Sequence, residues 1–343
     1  MRRAPALLLL LGCAAPPLPE GPLPDWEARF RREGSPWRGA DAVYSVPLSG
    51  DRILWLFGDT FITAAGAEGR EGAAMIRNSL AVQQLPDDPR FFWRSRAGKP
   101  TDAIECPVAG EWYWPLSGQR TGPVLRLFMM RLKAQGGGPF GFAVTANELH
   151  TVLNPDAEPG DWIVRRKELP FRDFSFGAAS VLHDGRLHVY GHPRTGARGL
   201  LLANVDPDAA DDVAAWRFFD GADGSPDPSR AKELFPGAAT EMSVSPLGRG
   251  FAAVYSAPFL SPDILVRTAP APEGPWSEAR AVYRAPDAGW KKGYFCYAAK
   301  AHPELASGPN ELVITYACNA QDFGDLFRDL RLYWPRFVRV TLD

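Results

Sequence analysis

Short apolar strands separated by polar turns recur along the chain at intervals of about sixty residues. Each unit opens with a strand rich in small or aromatic residues and continues, after a turn, into a strongly apolar strand. The first strands are predicted at Ala42–Val46, Trp112–Leu116, Gly177–Leu182, Glu241–Val244 and Tyr297–His302. The second strands are predicted at Ile53–Phe57, Val124–Met129, Leu187–Tyr190, Phe251–Tyr255 and Leu312–Tyr316.

Each unit then continues into further strands. The third strands are predicted at Leu80–Val82, Phe142–Thr145, Leu200–Val205, Ile264–Arg267 and Phe337–Leu342. In four units a fourth strand bearing one tryptophan follows, at Trp93, Trp162, Trp216 and Trp276. Four strands in each of five units predict an all-β, five-bladed β-propeller, with two packed β-sandwiches as the alternative. The fifth unit lacks a fourth strand, so the N-terminal segment around Trp26 is predicted to supply the outer strand of the last blade.

The N-terminal residues have the pattern of an export signal. A basic Met1–Arg3 precedes an apolar run that ends in Leu-Leu-Gly-Cys at Cys13, which is similar to a bacterial lipoprotein signal. We expect residues 1–12 to be removed and Cys13 to be lipidated, which would anchor an exported cell-envelope lipoprotein to the membrane. Residues 13–24 have the composition of a Pro-rich tether, and residues 25–343 form the propeller domain. The alternative is an ordinary signal peptide in which Cys13 is incidental.

Composition and net charge limit the classes of binding partner and cofactor that we expect. Lys and Arg total 38 against 40 Asp and Glu, so bulk charge does not favour binding to nucleic acid. The Cys/His spacing typical of a zinc site is lacking, so we expect no cofactor. We also expect the protein to be a monomer. With Cys13 assigned to processing, three cysteines remain. Cys296 and Cys318 could be cross-strand neighbours, and we hypothesise that they form a disulfide and leave Cys106 as a buried thiol.

The first hairpin contains the candidate chemistry. Its strands flank a Ser-Gly-Asp turn, and if Gly50 is the centre, Asp41 lies opposite Asp59. Directly opposed residues have Cβ atoms about 4.5 to 5.5 Å apart, so two carboxylates would share one small volume. Like charges at that distance raise one pKa, which suits acid and base chemistry. The alternative is that both are turn or capping aspartates at strand ends.

Other polar and aromatic residues are predicted at the same end of the blades, because first strands begin and second strands end there. The candidate substrate-binding residues are Asn78, Trp112, Trp114, His192, Glu241, Tyr297, Lys300, His302 and Asn319. Each has a structural alternative: Glu241 could pair with an arginine, and His192 could be a turn residue. An exposed tryptophan beside carboxylates is a common element of sugar binding.

Four segments carry a family resemblance. The stretches Gly39–Ser45, Leu54–Thr60, Arg77–Val82 and Tyr297–Pro303 resemble a family of exported bacterial propellers, long described as a domain of unknown function, that includes endo-D-arabinanases. The resemblance implies a glycoside hydrolase with Asp41 and Asp59 as the catalytic pair, acting on a polysaccharide such as an arabinan-like furanoside.

Glycosidases normally use two carboxyl groups, and a separation of about 5 to 5.5 Å indicates a retaining mechanism, which cross-strand placement favours. Three alternatives stay open. Glu241 could be one member of the pair, the protein could bind polysaccharide without turnover, or it could be a structural lipoprotein.

Overall fold

The computed structural model describes residues 20–136, 141–196, 199–258 and 260–342, and β-strands dominate it. The predicted signal peptide and Cys13 lie outside the described residues. Among the described residues, no helix is long and apolar enough to cross a bilayer.

The elements follow one another in chain order. The N-terminal part contains β1 (Gly21–Pro22), α1 (Pro24–Phe30), β2 (Trp37–Ala40), β3 (Tyr44–Pro47), β4 (Arg52–Phe57), β5 (Thr60–Ile62), β6 (Ala74–Ile76), β7 (Ser79–Gln84), β8 (Arg90–Phe92), β9 (Arg94–Arg96) and β10 (Lys99–Thr101). The middle contains β11 (Glu111–Thr121), β12 (Val124–Ala134), β13 (Phe142–Val152), β14 (Val164–Leu169), β15 (Phe174–His183), β16 (Arg186–Pro193), β17 (Gly199–Val205), β18 (Arg217–Phe218) and β19 (Phe235–Pro236). The C-terminal part contains β20 (Met242–Leu247), β21 (Gly250–Ser256), β22 (Asp263–Ala269), β23 (Arg280–Arg284), β24 (Tyr294–Ala301), β25 (Glu311–Ala320), α2 (Asp325–Arg328) and β26 (Arg336–Thr341).

Antiparallel sheets of four strands repeat along the chain. Their strand orders are β3-β4-β7-β8, β11-β12-β13-β14, β15-β16-β17-β18, β20-β21-β22-β23 and β24-β25-β26-β1. Strand β19 also pairs with β17, and β2, β5 and β6 form a small sheet beside the first. The fifteen predicted inner strands all overlap observed strands, although end residues such as Ala42, Val43, Glu241 and His302 lie just outside them. The small sheet and the β9–β10 hairpin were not predicted, because their strands are only three or four residues long.

The N-terminal segment supplies the outermost strand of the last sheet, but by different residues from those predicted. Strand β1, in the predicted tether, pairs Gly21 with Arg339 of β26. The Trp26 segment instead forms α1, because Pro24 suits the first helical turn and acidic residues follow it. Phe30 of this helix is fully buried against Trp55 and Phe337, with ring centroids 5.1 and 5.3 Å away.

The tryptophans predicted inside the fourth strands flank those strands instead. Trp93 directly follows β8, whereas Trp162, Trp216 and Trp276 precede β14, β18 and β23. The indole of Trp162 donates to the carbonyl of Ala157 at 3.1 Å, and that of Trp216 donates to Ala210 at 3.1 Å. These side chains therefore close the turn that leads into the outer strand.

Hydrophobic clusters lie between successive sheets. The first strands pack in the order β3, β11, β15, β20 and β24. Buried clusters join each sheet to the next, and a further cluster, containing Trp55, Val313 and Phe337, joins the last sheet to the first. The fold is thus all-β and β-propeller-like.

Cys296 and Cys318 are direct cross-strand partners in β24 and β25, and they form a disulfide, which confirms the hypothesised pairing. Cys106 is unpaired, but it is half-buried rather than buried, because it lies at the rim of a surface cavity of about 560 Å³ between the first two sheets.

Candidate active site

Asp41 and Asp59 occupy opposed positions at a break in the first hairpin. Tyr44 pairs with Leu56, and Ala40 pairs with Thr60, so the predicted register is confirmed on both sides of the two aspartates. Between those pairs, Asp41 accepts a backbone hydrogen bond from Gly58 at 3.1 Å. The two carboxylates therefore project from neighbouring chain segments into one place.

Left-handed backbone interrupts the strand next to Asp41. Ala42 and Val43 have φ values of 67° and 55°, so β2 ends and β3 begins on either side of them. Ala298 and Tyr333 also lie in the left-handed region, at φ 62° and 64°. Such conformations are costly for residues with a Cβ, most of all for β-branched valine, and they concentrate at functional sites.

Gly58 makes room for the Asp41 side chain. A Cβ at this position would lie 2.4 Å from Oδ1 of Asp41, far inside van der Waals contact. The glycine next to Asp59 is therefore required by the position of the opposite carboxylate.

Two tyrosines hold Asp41. The hydroxyls of Tyr297 and Tyr333 donate to Oδ2 at 2.5 and 2.9 Å, while Oδ1 accepts no hydrogen bond from the described residues. Burial first, and then the negative charges of Glu241 and Asp59, raise the pKa of Asp41 from 3.8 to about 8, although the tyrosine hydrogen bonds oppose the rise. At neutral pH this carboxyl is protonated, and Oδ1 is the oxygen left to carry the proton.

Asp59 has a different environment. Nη1 of Arg77 lies 3.3 and 3.2 Å from its two oxygens, and the indole of Trp114 donates to Oδ1 at 2.9 Å. Burial holds the pKa of Asp59 above its usual range, although the Arg77 charge and the Trp114 hydrogen bond oppose the rise. These two donors favour the ionised form, so the two aspartates are suited to opposite roles.

Aromatic side chains form a wall beside Asp59. The guanidinium of Arg77 lies 4.6 Å from the ring centroid of Trp112, and the rings of Trp112 and Trp114 are 6.3 Å apart. Phe142 packs edge-on against Trp114 at 4.7 Å. Trp112 and Trp114 are half-buried, so each leaves part of its ring available for a sugar face.

Glu241, just before β20, is the third carboxylate of the site. Its Oε1 lies 3.2 Å from Nζ of Lys300, which also donates to the carbonyl of Ala298 at 2.8 Å and sits 4.3 Å above the ring of Tyr44. Burial lowers the pKa of Lys300, and the charge of Glu241 opposes that change. Lys300 therefore positions Glu241 and is itself buried beneath it.

Besides Lys300, three more of the predicted substrate-binding residues, Asn78, His192 and His302, are buried. The Asn78 amide donates to the carbonyls of Ile104 and Tyr113 at 3.1 and 3.0 Å, which assigns it to loop support. His302 contacts the hydroxyls of Ser45 and Thr315 through its two ring nitrogens, each at 2.6 Å, and burial lowers its pKa to about 3.

His192, near the end of β16, is also buried. Asn319 by contrast lies at the site, where its amide donates to the Tyr297 hydroxyl at 3.3 Å.

Sequence reasoning missed Tyr333, Arg77 and Arg70. Arg77 lies in one of the segments that carry the family resemblance, directly before Asn78, which was predicted as a binding residue instead. Tyr333 lies outside any strand and carried no signal. Arg70 is fully buried, and burial lowers its pKa to about 9; it donates to the carbonyls of Arg38, Leu326 and Leu332, each at 2.7 Å. It thereby anchors the segment that precedes Tyr333.

Comparison with known proteins places these features in context. The profile of a family described as "Domain of unknown function (DUF5005)" matches residues 25–342. No curated protein matches the sequence. Among solved structures, a candidate hydrolase from Bacteroides ovatus ATCC 8483 is similar, with a TM-score of 0.75 and 19% identity over 92% of this chain and 88% of the other.

Two enzymes share the fold more distantly. A xylan β-1,4-xylosidase from Bacillus halodurans C-125 has a TM-score of 0.53 at 13% identity over 91% of this chain, which spans only 55% of that enzyme. An α-L-arabinofuranosidase from Podospora anserina, in complex with cellotriose, has a TM-score of 0.52 at 8% identity, with coverage of 90% and 92%. At such identities the likeness establishes a shared fold.

Proposed function

The chain belongs to the DUF5005 family, and from its site we propose that it is a glycoside hydrolase in which Asp41 and Asp59 are the catalytic pair. The observation that carries the proposal is the contrast between two opposed carboxyl groups. Asp41 is held protonated, with a pKa of about 8 and Oδ1 unengaged by the described residues. Asp59 accepts from Arg77 and Trp114, which favour its charged form. One acid and one carboxylate are what glycosidic cleavage requires.

The proposed reaction retains anomeric configuration, because opposed cross-strand positions favour a short separation between the carboxyl groups. Asp41 gives its proton to the leaving glycosidic oxygen while Asp59 attacks the anomeric carbon and forms a glycosyl ester. Water then attacks that carbon, Asp41 takes the proton, and the sugar leaves Asp59. The negative charge of Glu241, which lies beside Lys300, favours the protonated form of Asp41.

We propose a furanoside in an arabinan-like polysaccharide as the substrate. The support is the resemblance of the motifs around Asp41, Asp59 and Tyr297 to a family that includes endo-D-arabinanases. The aromatic wall of Trp112 and Trp114 offers faces on which sugar rings could stack.

We further infer that the five sheets are blades around one axis, with the site at one mouth of the channel. The support is the hydrophobic cluster between the last sheet and the first, together with the pairing of β1 and β26. Export and lipidation at Cys13, after removal of residues 1–12, remain our proposals, and they would place a monomeric enzyme at the cell envelope.

The test is hydrolysis of a panel of plant and cell-wall polysaccharides by the purified chain. Asp41→Asn and Asp59→Asn should each lower turnover by several orders of magnitude without loss of fold, because an amide can neither supply the acidic proton nor attack. Asp51→Asn, on the exposed turn of the same hairpin, is the matched control and should keep full activity.

Wild-type activity in both site variants would show that the pair is structural. Binding without released oligosaccharides from any polymer would favour a non-catalytic module. The anomeric configuration of the first product, followed by NMR, tests retention.

A further inference from the structure

The disulfide lies close to the two tyrosines that donate hydrogen bonds to Asp41. Cys296 directly precedes Tyr297 in β24, and Cys318 directly precedes Asn319 in β25. Tyr297 donates to Asp41, and Asn319 donates to the hydroxyl of that tyrosine.

The strand pair is irregular on the other side of Tyr297. Tyr297 pairs with Ala317, but the next pair in register is Lys300 with Thr315, so a bulge follows the tyrosine at once. Ala298 within this bulge has a φ of 62°. A bulge leaves residues without ladder partners and lets the strand bend, so regular pairing fixes Tyr297 on one side only. The disulfide lies on that side, because Cys296 directly precedes Tyr297.

The position of Tyr333 depends on Cys318, the second cysteine of the disulfide. Its backbone N–H donates to the carbonyl of Cys318 at 2.9 Å, and its φ of 64° is costly for a residue with a side chain. The described residues around it form no regular strand, because α2 ends at Arg328 and β26 begins at Arg336. The hydrogen bond to Cys318, together with the hydrogen bond from Arg70 to the carbonyl of Leu332, therefore sets where the Tyr333 hydroxyl reaches Asp41.

We propose that the Cys296–Cys318 disulfide is a positioning element of the active site, which keeps the Tyr297 and Tyr333 hydroxyls on Oδ2 of Asp41. The role in hydrolysis rests on the proposed function, but the positioning itself does not. In this arrangement the disulfide influences the ionisation of Asp41. Reduction of the disulfide therefore changes the ionisation of Asp41 under conditions in which the protein is still folded.

The consequence can be measured at Asp41. The ionisable groups that bear on this carboxyl are Glu241, Asp59, Lys300, Tyr297 and Tyr333. Within the described part of the chain, Tyr297 and Tyr333 alone donate hydrogen bonds to this carboxyl, and those bonds favour its charged form. If the disulfide holds the tyrosines, its removal should raise the pKa of Asp41 above about 8.

The experiment is a titration of the Asp41 carboxyl by ¹³C NMR, with assignment from Asp41→Asn. It compares wild type, Cys296→Ala/Cys318→Ala, Tyr297→Phe, and the triple variant. We expect the pKa of Asp41 to rise by about one pH unit without the disulfide and by a similar amount without the tyrosine hydroxyl. In the triple variant the shift should be smaller than the sum of the two single effects, because both changes remove the Tyr297 hydrogen bond and only the loss of the disulfide also affects Tyr333.

An unchanged pKa in the disulfide-free protein, or additive shifts, would overturn the proposal. If the double variant does not fold, wild type titrated in a reductant at a temperature where it stays folded gives the same comparison. Cys106→Ala, which removes the unpaired thiol, is the matched control and should leave the pKa unchanged. No substrate enters the titration, so failure of the proposed hydrolase activity and failure of the positioning role are distinguishable.

Discussion

Replacing the acid by its amide should make the protein more stable at neutral and alkaline pH. Asp41 has a pKa near 3.8 in an unfolded chain and about 8 in the folded one. A raised carboxyl pKa means that the folded state keeps a proton that the unfolded state has lost. The stability of the wild type is therefore fully present below pH 3.8 and falls as the pH rises towards 8.

The magnitude follows from the two pKa values. Each pH unit corresponds to about 1.36 kcal/mol, so a difference of about four units corresponds to about 6 kcal/mol of unfolding free energy by pH 8, and about 4 kcal/mol at pH 7. The side-chain amide introduced by Asp41→Asn resembles the protonated acid, because its oxygen can still accept from Tyr297 and Tyr333. The variant therefore does not lose unfolding free energy as the pH rises.

The assay is urea unfolding of wild type and Asp41→Asn at several pH values between 4 and 9. We expect nearly equal unfolding free energies at pH 4 and a growing advantage for the variant up to pH 8. Asp51→Asn, exposed on the same hairpin, should follow the wild type throughout. A difference that is independent of pH, or a wild type that is more stable than the variant at pH 8, would refute the electrostatic reasoning about Asp41.

Three further changes test other parts of the structure. Gly58→Ala should abolish turnover with little change in the far-UV circular dichroism spectrum, because its Cβ would displace Oδ1 of Asp41. Arg77→Gln should raise the pKa of Asp59 and move the acidic limb of the kcat/KM profile to higher pH; an unmoved limb would contradict the role of Asp59 as the ionised partner. Phe30→Ala should lower the unfolding free energy by about 3 to 5 kcal/mol in urea, and a loss below about 1 kcal/mol would show that α1 is not part of the core.

The sequence was most informative where residues obey a strict period. Register is constant along a regular antiparallel pair, so the position of one turn was enough to oppose Asp41 and Asp59. The same arithmetic paired Cys296 with Cys318. The strands of the inner sheets were visible because burial on both faces makes them continuously apolar.

Features that depend on tertiary contact carried no such signal. Tyr333 reaches Asp41 from a left-handed position outside any strand, where neither propensity nor alternation applies. Trp26 resembled the tryptophans near other outer strands, but the proline two residues earlier starts a helix there. His302 and Asn78 are polar residues at the expected end of their strands, yet their polar atoms are used to satisfy the interior.

The pairing of β1 with β26 joins two segments that are more than three hundred residues apart in the sequence. Gly21 pairs with Arg339, and Glu27 of α1 lies 2.8 Å from Arg336, so the last sheet cannot be completed until β26 has been synthesised. Until then β1 has no partner strand, and its pairing with β26 acts as a latch on the last sheet. A pulling force applied at the N-terminal side would act first on this two-residue strand, which makes the latch the point of mechanical release. A circular permutant opened elsewhere would move that weak point to another sheet.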